Sequence, residues 1–389
     1  MHIDWRSLRS HIPTDPGDEK YVGRPDSPAE RIVAEVRAGH TPLLVGGPAG
    51  VGRSSEIATA SELLKKADRV SCLARIDRKE NMRRLTPERM CLHYAHFLSV
   101  AALDALQSEP LEEINRLDDI ARGMLEDPTS SVDANPRVLL SSVLDEISRL
   151  SKGNRAVMLI DGLEKLRRGD QGLLLFEVLG EIRSKVDLVL SVPWYSAFGP
   201  RTDTLICPEE HFLPVRALDV DRPDHRAVLF AMLEKRLGWE SDAIANASSA
   251  AAKWFAATED ADIKPCWNLL VKIINDAAAC SGGMPRLFLQ ILGGTGGYSS
   301  LLRNDPFPIV EEFEDACANH IDSFRRLLLE GDVEAIFAAI GTSGSELGLP
   351  RRIRLMAHAI LLERVRDGNP VLDLTPLARE SCKNGGRRA

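Results

Sequence analysis

Residues 46–54 form a glycine-rich segment that constrains the fold of the chain more than any other feature. Its sequence is Gly46-Gly47-Pro48-Ala49-Gly50-Val51-Gly52-Arg53-Ser54, which matches G-x-x-x-x-G-[KR]-[ST] from Gly47 onward. The apolar run Leu43–Val45 precedes it, and the helix-like stretch Ser55–Leu64 follows it. A strand, a loop and a helix in this order allow backbone N–H groups to surround a phosphate. The segment therefore predicts an α/β fold with a phosphate-binding loop.

The residues of this loop have separable expected roles. Its backbone N–H groups would face the β-phosphate of a nucleotide, and Ser54 would ligate Mg²⁺. The usual lysine is replaced by Arg53, which keeps the positive charge but carries a longer, planar group. We therefore expect nucleotide binding with slow hydrolysis. The nucleotide-binding residues predicted from the loop are Gly47, Gly50, Val51, Gly52, Arg53, Ser54 and Ser55.

Short apolar runs alternate with helical segments in the first half of the chain. The runs are Leu43–Val45, Val70–Ile76, Ala156–Ile160, Leu188–Val192 and Phe212–Val215. Such alternation predicts a parallel sheet of about five strands with helices on both faces. Between the second and third runs, Pro87–Leu106 and Pro136–Leu150 have helical periodicity.

A carboxylate follows the third run directly. Asp161 comes after four apolar residues, at the expected carboxyl edge of the sheet, where it would serve Mg²⁺ or the loop serine. The next position, where many ATPases place the acid that polarises the attacking water, is Gly162. We assign that role to Glu164. The alternative interpretation of Glu164 is an ordinary glutamate at a helix N-terminus, where the dipole favours it.

Two further segments complete a recognisable pattern. Val22-Gly23-Arg24 precedes the first strand, and Gly283-Met284-Pro285-Arg286 lies far downstream. Together with the loop and the acidic strand, they resemble the AAA+ ATPases and their STAND relatives, the NACHT and NB-ARC proteins, over roughly residues 20–295. The resemblance implies that Val22 and Gly23 contact adenine and that Pro285 begins a helix of a lid. It also implies that Arg286 senses the γ-phosphate; a surface arginine is the alternative.

The same resemblance suggests further residues around the nucleotide. Ser191 would be a polar sensor at the end of the fourth run, and Arg201 a finger that reaches a neighbouring subunit's site. Arg183 competes with Arg201 for that role, and either arginine could instead be a solvated surface charge. The catalytic residues predicted in all are Arg53, Asp161, Glu164, Arg286 and Arg201, with Ser54 and Asp161 on the metal.

Strand signals end near residue 216, and the glycine-rich stretch Gly293–Ser300 is typical of a flexible break. The predicted domains are a nucleotide-binding α/β domain (1–216), a helical lid (217–297), a winged-helix-like domain (298–383) and a tail (384–389). In the third domain, helices at Val333–Phe337 and Arg351–Leu362 precede an expected hairpin at Arg364–Leu374. This order resembles the winged-helix unit that follows STAND lids.

Charge and composition limit the possible partners. The net charge of the 389 residues is −8, which argues against nucleic-acid binding by the whole surface. From Gly341 onward, however, nine basic residues face five acidic ones, so the last domain could contact DNA phosphates. Packing of that domain against the lid is the favoured interpretation.

The chain has no run of about 18 apolar residues and no apolar core of a signal peptide, so we expect a cytoplasmic protein without a membrane segment. Its seven cysteines form no C-x-x-C pair, which suggests neither a zinc site nor a disulfide framework.

The sequence as a whole predicts a regulatory ATPase that binds ATP or ADP with Mg²⁺ and acts as a slow switch or assembly factor. Its partner or effector would be encoded separately, and self-association into a homo-oligomer stays open. Bacterial members of the resembled family are common in antiviral defence, which implies a multi-component antiphage system. The alternatives are a DNA-binding AAA+ loader or transposition-type ATPase, and a nucleotide-binding scaffold that does not hydrolyse.

Overall fold

The computed structural model of the chain describes residues 5, 8, 15–82, 84–127, 134–163, 177–192, 211–246, 249, 253, 264–298, 309–342, 347–366 and 369–385. By its internal contacts the chain divides into two compact units. The sheet unit comprises Ser27–Gly46 and Arg53–Pro214, and the helical unit comprises Met1–Asp26, Gly47–Gly52 and Val215–Ala389. The three-domain division of the sequence stays a prediction.

The sheet unit contains five parallel strands in the order β2-β3-β4-β1-β5. Their bounds are β1 Leu43–Gly46, β2 Ser71–Ala74, β3 Ala156–Ile160, β4 Val186–Val192 and β5 Phe212–Pro214. The predicted fold class, a parallel α/β sheet of about five strands, is confirmed. The second predicted run is too long at its end, because Ile76–Arg78 forms a 3₁₀ turn beyond β2.

Helices surround this sheet. Their bounds are α1 Pro28–Arg37, α2 Arg53–Lys65, α3 Pro87–Ala105, α4 Glu112–Glu126 and α5 Pro136–Leu150. Local sequence fixes two of the starts: Thr86 accepts from the N–H of Arg89, Asn135 accepts from the N–H of Arg137, and a proline follows each cap. The helices predicted before the third strand are therefore confirmed.

The apolar faces of α3, α4 and α5 share one core with the strands β2, β3 and β4. Members with little or no exposed surface include Tyr94, Leu98, Ile114, Val143, Ile147, Met158 and Leu188. Burial of such side chains stabilises the unit by about 1.5–3 kcal/mol each. Because all five strands run parallel, this core holds their carboxyl ends at one edge of the sheet. The predicted site residues of this unit follow those ends.

The helical unit continues with α6 Pro223–Leu237, α7 Lys264–Cys280, α8 Pro285–Tyr298, α9 Val310–Leu327, α10 Asp332–Ala339, α11 Leu349–Ala357 and α12 Pro376–Gly385. The strands β6 Leu361–Arg366 and β7 Asn369–Leu374 pair antiparallel between α11 and α12. The predicted helices followed by a hairpin are confirmed, as a winged-helix-like module requires. The predicted helix Arg351–Leu362 is wrong at its end, because Ala359 has a positive φ of 56° and Leu361 begins β6.

The predicted flexible break at Gly293–Ser300 is wrong for its described part, because α8 continues through it to Tyr298. A Cβ at Gly296 would lie 2.1 Å from Cδ2 of the buried Trp5, so glycine is needed here for close packing. Small residues that look like a break in sequence can therefore mark a tight contact on a helix.

Among the described helices, none combines the length and apolar character needed to cross a bilayer.

Candidate functional site

The phosphate loop, residues 47–54, has the backbone that its glycines permit. Gly50 and Gly52 have φ values of 86° and 103°, in the left-handed region that favours glycine. Between them, Val51 is buried, and its N–H donates to the carbonyl oxygen of Pro48 at 3.4 Å. The helix α2 begins directly afterwards at Arg53. A tightly turned backbone followed by a 13-residue helix places N–H groups and a positive dipole end together, as an anion requires.

Ser54 and Asp161 meet at the carboxyl edge of the sheet. The hydroxyl of Ser54 donates to Oδ1 of Asp161 at 3.1 Å. The backbone N–H of Asp161 donates to the carbonyl oxygen of Ala74 at 3.0 Å, which extends the pairing of β2 and β3 by one residue. Asp161 is only 6% exposed. The two residues that the sequence places on the metal are therefore in direct contact.

Arg75 joins this pair and was not singled out in the sequence. Its Nε lies 3.7 Å from Oδ2 of Asp161, and its Nη2 donates to the carbonyl oxygen of Ser54 at 3.4 Å. Only 8% of Arg75 is exposed, so the interaction with Asp161 is largely shielded from water. The signal in the sequence was an arginine within the second apolar run, directly after the residues that form β2.

Arg53 contacts the sheet. Its Nη1 donates to the carbonyl oxygen of Val192, the last residue of β4, at 2.7 Å. A guanidinium has five N–H donors, and this bond uses one of them. The neighbouring Ser191 is buried, and among the described residues its hydroxyl has no hydrogen-bond partner. Its role as a polar sensor stays a prediction.

Arg24, from the segment before the first strand, fixes the phosphate loop within the helical unit. Its Nη1 donates to the carbonyl oxygen of Val51 at 3.2 Å, and its Nη2 donates to that of Arg216 at 2.9 Å. Asp26 holds the guanidinium in place through an ion pair of 2.8 Å. Val22 is half-buried and Gly23 is exposed. The motif thus has a structural role through Arg24, while contact of Val22 and Gly23 with adenine stays a prediction.

The G-x-P segment also contacts this loop. The backbone N–H of Arg286, in the first turn of α8, donates to the carbonyl oxygen of Gly50 at 3.2 Å. A Cβ at Gly50 would lie 2.6 Å from Cβ of Arg286, so the two backbones approach closely. Pro285, the first residue of α8, is buried. A Cβ at Gly283 would lie 1.7 Å from the carbonyl oxygen of Leu218, which requires glycine there.

For the remaining predicted site residues, the roles stay predictions. Glu164 and Arg201 lie outside the described residues. Arg183 is exposed after the helical residues 177–182. The γ-phosphate role of Arg286, an exposed residue, stays a prediction.

The basic residues of α11 are engaged by acids within the helical unit. Arg351 and Arg354 both pair with Asp332, a residue that is fully buried, and Arg352 lies 3.9 Å from Glu363. Arg216 also donates to Glu363, at 2.7 Å. The helix dipole disfavours three arginines at a helix start unless negative charge is near, and these two carboxylates supply it.

The described residues contain no group of three or more His, Cys, Asp or Glu side chains that could hold a metal ion. A magnesium ion at this edge would therefore need ligands beyond protein carboxylates. The pair Ser54 and Asp161 fits that requirement, because Mg²⁺ usually binds through one or two protein oxygens together with substrate phosphates and waters.

No protein-family model matches the chain, and no curated protein matches it. Among solved structures, the chain is similar to the Orc1 protein of Aeropyrum pernix in complex with DNA. The sequence identity is 14%, the TM-score is 0.41, and the match covers 98% of this chain and 96% of that chain. A likeness of this size leaves the function to be argued from the chain's own residues.

Proposed function

We propose that the protein is a nucleotide-dependent switch that binds ATP or ADP with Mg²⁺ at the phosphate loop and hydrolyses ATP slowly. The observation that carries this proposal is the hydrogen bond from Ser54 to Asp161, at the start of a helix that follows a tightly turned glycine loop. A hydroxyl and a buried carboxylate in contact at such a helix start are the two protein groups that MgATP needs.

Each residue of the site would act on a different part of the nucleotide. The N–H groups of the loop and of the first turn of α2 would bind the β-phosphate. Ser54 and Asp161 would hold Mg²⁺ directly or through water, and the ion would neutralise charge on the β- and γ-phosphate oxygens. Arg75 would offset part of the negative charge of Asp161 with its own positive charge. It would also keep that carboxylate oriented, because it contacts both the carboxylate and the backbone of Ser54.

Slow turnover is supported by one departure from common ATPases. Arg53 already uses part of its guanidinium on Val192. This bond favours long-lived bound states over rapid repeated cycles. A switch needs such states, whereas a motor does not.

The switch itself would act through α8. The N–H of Arg286 is bonded to the carbonyl oxygen of Gly50, so a change in the loop on nucleotide binding alters the first turn of α8. Arg286, Val22, Gly23 and Pro285 are the residues through which we expect the helical unit to sense the nucleotide. A ligand shifts such an equilibrium by its difference in affinity for the two states.

The family resemblance alone supports the cellular role that we propose. The protein would be cytoplasmic and would act in a bacterial multi-component system, such as antiphage defence, with a separately encoded effector. Self-association would use Arg201. A DNA-binding role is less well supported, because acids of the same unit already bind the α11 arginines.

Nucleotide binding is tested with a matched pair of glycine variants. Gly52 and Gly153 have φ values of 103° and 89°, and a Cβ at either position meets no atom within 4 Å. Aspartate at either site therefore brings similar backbone strain, but only Gly52→Asp brings a carboxylate to the phosphates. We expect ADP to raise the unfolding midpoint of the wild type and of Gly153→Asp, and not that of Gly52→Asp.

The metal assignment is tested in parallel with Asp161→Asn, which should remove the dependence of ATP binding on Mg²⁺.

In the glycine experiment, equal nucleotide binding by Gly52→Asp and Gly153→Asp would show that the loop is not the phosphate site.

A further inference from the structure

The carboxylate of Asp77 lies against the backbone of Gly162. Gly162 follows Asp161 and has a φ of 87°. A Cβ built on Gly162 would lie 2.6 Å from Cγ, 2.7 Å from Oδ1 and 2.9 Å from Cβ of Asp77. The carboxyl carbon is thus the nearest atom. Asp77 therefore fills the space that a side chain at position 162 would need.

The distance matches that of a missing glutamate. In a glutamate side chain, the carboxyl carbon lies two bonds from Cβ, or about 2.5 Å away at ordinary bond lengths. The carboxyl carbon of Asp77 lies 2.6 Å from the Cβ position of residue 162. The distance from the Cβ position of residue 162 to the carboxyl carbon of Asp77 is therefore close to the Cβ-to-carboxyl-carbon distance that a glutamate at 162 would have.

The fold brings Asp77 to the correct edge. Asp77 belongs to the 3₁₀ turn that follows β2, and Gly162 follows β3. β2 and β3 are parallel neighbours, with Ala74 opposite Ile160. Arg75, two residues before Asp77, contacts Asp161. The residues after β2 therefore lie beside the metal-side carboxylate.

Position 162 and position 77 cannot both carry an ordinary acid in this arrangement. A Cβ at 162 would come closer to Asp77 than real Cβ atoms come to a neighbour, and the left-handed φ disfavours any side chain there. The left-handed φ favours glycine after Asp161, and Asp77 occupies the space beside that glycine. The glycine at position 162, where many ATPases have an acid, and the carboxylate of Asp77 therefore occupy one shared space.

We propose that Asp77 is the carboxylate that orients and activates the attacking water, in place of an acid at position 162. This inference rests on the proposed function. In the step, the water oxygen forms a bond to the γ-phosphorus while the bond from that phosphorus to the β–γ bridging oxygen breaks, and its electron pair leaves with ADP. Asp77 accepts a proton from the water and returns it to solvent. Asp77 then acts where Glu164 was expected to act.

The experiment compares Asp77→Asn with two other variants. Asp77→Asn keeps the shape of the side chain and removes its ability to accept the proton. Arg78→Gln changes an exposed residue of the same turn and is the matched control. Glu164→Gln tests the competing acid.

Four measurements are made on each protein: the unfolding midpoint without nucleotide, the affinity for a non-hydrolysable ATP analogue, the affinity for ADP with aluminium fluoride, and single-turnover hydrolysis of ATP. For Asp77→Asn we expect an unchanged midpoint and analogue affinity. We also expect weaker binding of the aluminium fluoride complex, which mimics the attacked phosphate, and hydrolysis slower by about 100-fold or more. Arg78→Gln should behave as the wild type, and Glu164→Gln should slow hydrolysis less than Asp77→Asn does.

The outcomes separate this inference from the proposed function. A wild type that binds no nucleotide would refute the proposed function. A wild type that binds ATP without hydrolysing it would refute both the slow hydrolysis of the proposed function and the role of Asp77. An Asp77→Asn variant that hydrolyses at the wild-type rate would refute the role of Asp77 alone. So would a loss confined to Glu164→Gln. If Asp77→Asn fails to fold, Asp77→Ser, which also lacks the carboxylate, is measured in the same way.

Discussion

Arg53 is a residue of the phosphate loop that also stabilises the sheet. Its guanidinium joins the first turn of α2 to the carbonyl oxygen of Val192, at the end of β4. An ammonium is a compact point charge, whereas a guanidinium is a planar fork that can bond in two directions at once. The arginine therefore stabilises the carboxyl edge of the sheet, and on the proposed function its other donors are already oriented for a phosphate.

Arg53→Lys should lower the unfolding midpoint of the nucleotide-free protein by a few degrees, because a charge-assisted hydrogen bond worth about 1 kcal/mol is weakened. ADP binding should persist, since the positive charge and the loop backbone remain. Thermal unfolding with and without ADP measures both effects. A complete loss of ADP binding would mean that the site is built around the guanidinium itself.

At the scale of elements, α3 carries a buried titratable group that makes folding sensitive to pH. His93 is 7% exposed, and its Nε2 lies 3.1 Å from Oε1 of Glu80. Burial lowers the pKa of His93 below its ordinary value of 6.5, and the nearby Arg89 and His96 act in the same direction, while Glu80 partly opposes them. The hydrogen bond from Arg89 is the main reason that the pKa of Glu80 is lowered.

The unfolded chain therefore binds a proton at His93 at a higher pH than the folded protein does. Stability should fall as the pH drops below about 6.5, and Glu80 should add a second loss at more acidic pH, as its own lowered pKa is passed. His93→Gln, which stays uncharged and can still donate to Glu80, should reduce the first loss. Unfolding midpoints at pH 7.5 and 5.5 test this expectation. An equal loss in wild type and variant would remove His93 as its source.

The elements that the sequence predicted well are those with strong local signals. The helix α5 begins after an asparagine cap and a proline, and β3 is an uninterrupted apolar run, so their bounds match the expectation. The sequence failed where a distant contact decides the structure. The glycines of α8 looked like a break because the residue that needs their small size, Trp5, lies at the other end of the chain.

The residues of the candidate site also divide into those that a local motif predicts and those that depend on distant contacts. The loop, Ser54 and Asp161 follow from a local motif, and the structure brings the last two together. Arg75 and Asp77 were missed because their positions depend on the pairing of β2 with β3, which no local pattern specifies. Arg24 was recognised as part of a motif, but its bond to Val51 requires the folded loop.

At the scale of the whole molecule, charge decides which partners are plausible. The net charge is −8, and the basic surplus after Gly341 is largely paired within the helical unit. Asp332 is buried with Arg351 and Arg354 on its carboxylate, so these arginines are structural groups. A module held by its own acids offers little charge to the phosphates of DNA.

The double variant Arg351→Ala, Arg352→Ala should lower the unfolding midpoint more than Arg325→Ala does. Arg325 forms an exposed pair with Asp322 within α9, and such pairs contribute little, whereas Asp332 is buried. The wild type should show no duplex binding at physiological salt in a fluorescence anisotropy titration. Tight, strongly salt-dependent binding that is lost in the double variant would favour the DNA-loader alternative.

The contact between Asp77 and Gly162 also restricts how the sequence can diverge. A side chain at position 162 would have to displace the aspartate and adopt a left-handed φ, whereas residue 77 can change while glycine stays at 162. An acid introduced at position 162 therefore fits more easily when the side chain at position 77 is shortened at the same time. On the proposed function, a chain with the shortened residue 77 and the original glycine would hold a nucleotide but cleave it poorly.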